Sequence, residues 1–69
     1  MYVVKTIAGS GRYGYKDGIG MEAEFNYPCG ITISRDGKDL FVADSENKCI
    51  RKISLVDGTT STIAGEPGI

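Results

Sequence analysis

Thr6-Ile7-Ala8-Gly9 near one end of the chain returns as Thr62-Ile63-Ala64-Gly65 near the other, 56 positions later, and β-prone residues precede both copies. Self-similarity at so long a period marks a unit built to be stacked beside others of its kind. The 69 residues hold one period plus an overlap. A chain of this length buries only about 60% of the surface its unfolded form exposes, so no sizeable private core is expected. Yet hydrophobic residues make up 41% and charged residues 25%, inside the globular range, so the segment is one that packs.

Within the period, turn signals recur at short intervals. Cys29 to Ser34 alternates apolar and small side chains, and Asp36-Gly37 predicts a hairpin into Leu40-Phe41-Val42-Ala43. That second strand is apolar at consecutive positions and requires cover on both faces. Asp44-Ser45-Glu46-Asn47 is turn-forming, Cys49-Ile50-Arg51-Lys52-Ile53 reads as a third strand, Asp57-Gly58 as a turn and Thr59 to Ala64 as a fourth strand. Met21 to Phe25 has room for about one helical turn, too short to stand alone. The expected architecture is all-β, a four-stranded antiparallel meander, with Tyr2 to Ala8 as a fifth strand equivalent to the fourth. Two equivalent strands compete for one slot, which predicts exchange of the surplus strand onto a neighbouring chain.

Asp17-Gly18-Ile19-Gly20, Ala23 to Ile31 (Ala-Glu-Phe-Asn-Tyr-Pro-Cys-Gly-Ile), Leu40-Phe41-Val42-Ala43-Asp44-Ser45, Asn47 and Ile50-Arg51-Lys52-Ile53 follow in order. Together they resemble the NHL repeat in its long-looped form, DGxGxxAxFxxPxGI, then LYVAD, N, IRKI and TxAG. The likeness covers nearly the whole chain. It implies a single β-propeller blade with an extra N-terminal strand from the preceding blade. Residues 1–9 would be that outer strand, 10–27 the long inter-blade loop, 28–65 the blade and 66–69 the start of the next loop. In such proteins about six blades close a ring with the first strand of each lining the channel. Gly30 to Ser34 would then lie innermost, with Gly30 letting backbones crowd near the axis. Phe41 stands where the family often has tyrosine, and Cys49 where a polar residue is common.

Gly9-Ser10-Gly11-Arg12-Tyr13-Gly14 matches G-x-G-x-x-G after a strand. A dinucleotide site needs a helix N-terminus directly after the glycines, and Tyr15-Lys16-Asp17-Gly18 continues as loop, so a connection between blades is the better reading. Asp44, Ser45 and Asn47 offer oxygens to a hard cation but lack the further acids of a calcium loop. Asp44 and Asn47 are assigned instead to bonds with their own turn's backbone, and Asp44 to a cross-strand pair with Arg51. Arg12, Tyr13, Tyr15 and Lys16 on the long loop, with Lys48 on the loop between the second and third strands, form the candidate ligand-binding loop face. Aromatics interleaved with cations stack bases or grip peptides. Asp17, Glu22, Glu24 and Glu46 share that edge and cancel its field.

Catalytic chemistry has little to work with. The chain has no histidine, and Ser10, Ser34, Ser45, Ser54 and Ser61 have no evident activating partner. The amidating lyases similar to this family draw their metal ligands from several blades, which one blade without histidine does not supply. No enzymatic activity, metal or cofactor is expected of it. Cys29 and Cys49 fall on strands separated by a third, roughly 10 Å apart, too far for a disulfide. No apolar run approaches the ~20 residues of a membrane span, and free cysteines suit a reducing, cytoplasmic or otherwise intracellular setting. The expected role is an interaction or scaffold module, a blade that packs or self-assembles with other blades into a homo-oligomer or a parent propeller and builds a protein- or RNA-binding surface. The alternative is an inert structural blade of a larger NHL-type propeller enzyme, lyase or hydrolase, or of a carbohydrate-binding propeller.

Overall fold

The computed structural model describes residues 8–65. Among these residues five strands form one sheet: β1 Gly18–Ile19, β2 Pro28–Ile33, β3 Asp39–Asp44, β4 Cys49–Ser54 and β5 Thr59–Gly65. Their order is β1-β5-β4-β3-β2, and every neighbouring pair is antiparallel. β2 to β5 are the meander that the turn signals mark. Ser34 and Asp36 build its first turn: the Ser34 hydroxyl donates to Asp36 Oδ1 at 2.6 Å and accepts the Asp39 N–H at 3.0 Å. That hydroxyl, and then the Lys38 N–H, hold the Asp36 carboxyl below its ordinary pKa.

Residues 2–7 of the anticipated N-terminal strand lie outside the described residues, and Ala8, its last residue, is fully buried. Among the described residues the fifth strand of the sheet is β1, from the long loop, with Gly18 opposite Thr60 and Ile19 opposite Thr59. Side chains draw the loop to this edge: Thr62 Oγ1 donates to Asp17 Oδ1 at 3.1 Å and lies 2.7 Å from the Tyr15 hydroxyl. Short as it is, β1 caps part of an edge that would otherwise invite pairing with another chain. The candidate turn of helix near Met21 is a 3-10 turn, Gly20–Glu22.

Register separates the two faces of the sheet. Leu40 lies opposite Ile53, Val42 opposite Arg51 and Asp44 opposite Cys49, and all six are buried. The long loop folds over this face, so that Ala8, Ala23 and Phe25 complete the core with Leu40, Val42 and Ile53. Phe41 opposite Lys52 and Ala43 opposite Ile50 belong to the other face, where Phe41 and Ala43 are half-buried and Ile50 is exposed. That face carries a depression of about 440 Å³ lined by Gly30, Thr32, Phe41, Ala43 and Ile50, among others. Among the described residues, β3 therefore gets cover on one side only.

The glycines closing both copies of the terminal repeat share a conformation that side chains avoid, with φ +116° at Gly9 and +101° at Gly65. A Cβ on Gly65 would also strike the Lys48 carbonyl and come within 2.6 Å of the Cys49 Cα. By contrast, a Cβ on Gly30 would meet only the Ala43 Cβ, at 3.8 Å, so the described part of this chain does not crowd it.

Candidate functional site

The centre of the loop-covered face is Arg51. Strand alternation turns its side chain toward the loop, where it is fully buried, and the guanidinium collects partners from four segments. Nη1 donates to Asp44 Oδ2 at 2.6 Å and to the Glu24 carbonyl at 2.9 Å; Nη2 donates to the Lys16 carbonyl at 2.7 Å and to Asp17 Oδ1 at 2.9 Å. The Tyr15 and Phe25 rings lie 4.8 and 4.7 Å from its central carbon. A planar cation takes such a set of flat and in-plane partners at once, which an ammonium does not. Asp44, also fully buried, accepts from the Asn26 N–H at 2.7 Å and from Asn47 Nδ2 at 2.8 Å.

Asp44 and Asn47 thus serve a different backbone from the one expected. Apart from the bond between them and the pairing of Asp44 with Arg51, their side-chain partners lie on the long loop: the Asn26 N–H for Asp44 and, for Asn47 Nδ2, the Gly14 carbonyl at 2.8 Å. The reason is burial: the strand end turns Asp44 inward, where unsatisfied loop amides need acceptors. Their own turn is closed by the Lys48 N–H bonding to the Ser45 carbonyl, with Lys48 left-handed at φ +57°.

The structure divides the candidate binding face. Tyr15 is engaged, its hydroxyl beside Thr62 and its ring on Arg51. Lys16 is tied through its backbone, exchanging bonds with Glu24 at 3.3 and 2.9 Å. Arg12, Lys16 and Lys48 are all exposed. Tyr13 faces outward and stacks on Tyr27, ring centroids 5.4 Å apart and planes 24° from parallel. Tyr27 carried no signal as a site residue in the sequence, where Asn-Tyr-Pro reads only as repeat pattern. It sits at φ +56°, a region a bulky side chain enters at a cost of about 1 kcal/mol. The Ser45 N–H and hydroxyl hold its carbonyl there at 3.2 and 2.7 Å.

The cysteines are free, Cys29 exposed and Cys49 buried. Burial, and then the Asp44 carboxylate, push the Cys49 thiol above its usual pKa, which disfavours its reactive thiolate form. Iodoacetamide at neutral pH is expected to alkylate Cys29 alone in the folded chain, Cys49 following only in denaturant; equal labelling of both would contradict the packing of β4 under the loop. Among the described residues no group of three or more His, Cys, Asp or Glu side chains is placed to hold a metal ion. No helix among them is long and apolar enough to cross a membrane.

A four-stranded antiparallel meander with a loop sealing one face, and an apolar face opposite that the described residues leave uncovered, has the architecture of a β-propeller blade. The chain belongs to the NHL-repeat family: the family model described as NHL repeat matches residues 25–53. It is 45% identical over 60 residues to Protein SUPPRESSOR OF QUENCHING 1, chloroplastic, of Arabidopsis thaliana, an alignment covering 87% of this chain and 6% of that protein. It is 48% identical over 52 residues to NHL repeat-containing protein 2 of Bos taurus and of Homo sapiens, covering 75% of this chain and 7% of each relative. The chain thus spans less than a tenth of the length of these curated relatives.

Proposed function

We propose that the chain is one blade of a protein-interaction scaffold. Its bare sheet face seats another blade, of a longer chain or of a second copy, and its loop-bearing edge is left to bind protein. One observation carries this reading: the loop seals a single face, while Phe41, Ala43 and Ile50 line an apolar depression on the other with no cover from the described residues. Exposed apolar surface of this kind marks an interaction site in a soluble protein. Protein suits the loop edge better than RNA, because Asp17, Glu22, Glu24 and Glu46 outnumber Arg12, Lys16 and Lys48 there.

A dilution series followed by light scattering and circular dichroism tests the packing of the bare face. Mass and strand signal are expected to fall together, and Ala43→Glu, which sets a charge in the depression, to move the midpoint to about tenfold higher concentration or beyond. A compact, folded monomer that persists at the lowest concentration overturns the reading.

A further inference from the structure

Tyr13 and Tyr27 raise a question that packing within the chain does not answer. Left-handed backbone at position 27 suits glycine or asparagine, yet a tyrosine occupies it. Burial of the ring, which would offset this, is largely missing: Tyr13 is 61% exposed and Tyr27 56%. Both are nevertheless held firmly from behind. Tyr27 is fixed through its carbonyl by Ser45, and Tyr13 is bridged to Phe25 and followed by Gly14, whose N–H bonds to the Phe25 carbonyl at 3.1 Å and whose carbonyl takes Asn47 Nδ2. The result is a preorganised pair of stacked rings with its outer surface in water. Backbone strain that serves to present side chains to solvent points to something that binds them.

The charges beside the rings narrow what that is. Glu46 follows Ser45 directly, its N–H bonds to the Asn26 carbonyl at 3.1 Å, and it is exposed. No described residue hydrogen-bonds to or pairs with its carboxylate. Glu46 thus stands one residue along from the Ser45 contact that fixes Tyr27, and an aromatic plate joined by a carboxylate supplied from that position, unengaged by the described residues, would reproduce the combination that Arg51 occupies inside the molecule, with two rings and two carboxylates. We propose that the Tyr13–Tyr27 plate, with Glu46, docks an arginine side chain of a partner protein. The guanidinium lies flat on a ring and turns an N–H edge to the carboxylate, a geometry lysine cannot match. This rests on the reading of the loop edge as a protein-binding face and names the chemistry it selects.

The test is a titration of the full chain, followed by the tyrosine ring resonances, with three short Gly/Ser peptides carrying two arginines, two lysines or two citrullines, and with a single-stranded oligouridylate. The arginine peptide is expected to shift the Tyr13 and Tyr27 signals and to bind about fivefold tighter than the lysine peptide, with citrulline and oligouridylate weaker still. Tyr27→Gly, which relieves the backbone, is expected to weaken arginine binding by about fivefold without lowering the melting temperature, and Glu46→Gln to weaken it with the fold intact. Arginine and lysine binding equally, the oligouridylate binding best, or arginine binding that survives Tyr27→Gly each overturns the proposal while leaving the edge a binding face. Failure of every probe to bind overturns the proposal and the edge reading together, and the dilution series still reports on the bare face alone.

Discussion

Arg51→Met is expected to cost about 3–5 kcal/mol, enough to unfold most of a chain this small at room temperature. The size of the effect comes from what is left behind. Asp44 has no exposed surface, and without the guanidinium its charge is buried with the Asn26 and Asn47 N–H groups as its remaining donors among the described residues. The Glu24 and Lys16 carbonyls lose the guanidinium in the same step, so the loop comes away from the sheet it seals. Urea titration of the wild type, Arg51→Met and Arg51→Met/Asp44→Asn separates the causes. Neutralising the orphaned carboxylate is expected to recover roughly 1–2 kcal/mol, because the substituted side-chain amide still offers a carbonyl to the Asn26 N–H and no buried charge remains. Arg51→Lys is expected to stand near Arg51→Met, since an ammonium cannot bond two carbonyls and two carboxylates in one plane between two rings. A cost below about 1 kcal/mol for Arg51→Met would show that the cluster is incidental to stability.

Phe25→Ala is expected to cost about 3–5 kcal/mol for a separate reason. The ring is fully buried beneath Arg51 and is the largest apolar side chain the loop contributes to the core. Truncation leaves a cavity between loop and sheet that Ala8 and Ala23 are too small to close. Phe25→Leu keeps most of the volume and loses the π face, so its smaller cost, about 1–2 kcal/mol, reports on the cation–ring contact together with the change of shape. Hydrogen exchange locates the damage: amides of residues 14–24 are expected to lose protection in Phe25→Ala before those of β3 and β4. If the two groups lose protection together, the loop is not a separate layer.

Much of the fold can be read from the residues, because alternation and turn chemistry are local. The β3 pattern Leu40-Phe41-Val42-Ala43 announces a strand wanting cover on both sides, and the described residues cover Leu40 and Val42 while leaving Phe41 and Ala43 half-buried on the opposite face. The turn at Ser34-Arg35-Asp36-Gly37 and the one-turn limit on Met21 to Phe25 are likewise set within a few residues. The long loop is where local reasoning stops. Its glycines and charges read as a connection, but Gly18–Ile19 pairs with β5, and Asn47 and Asp44 direct their side chains to Gly14 and Asn26 rather than to their own turn.

The candidate site follows the same division. Tyr13 and Tyr15 look alike in the sequence, two aromatics in a glycine-rich loop, yet one lies outward against Tyr27 and the other beneath an arginine. Which ring is left outward depends on Thr62, 47 positions beyond Tyr15.

Side-chain type at short spacing is enough to set the all-β architecture, the strands and their turns, and the alternation that turns Phe41 and Ala43 to the face opposite the core. Folding in three dimensions was needed to make Arg51 the hub, to bring β1 to the outer edge and to join Tyr27 to Tyr13 in water. Those arrangements are made largely through backbone carbonyls and amides, which nearly every residue carries and which leave no mark in the order of the side chains.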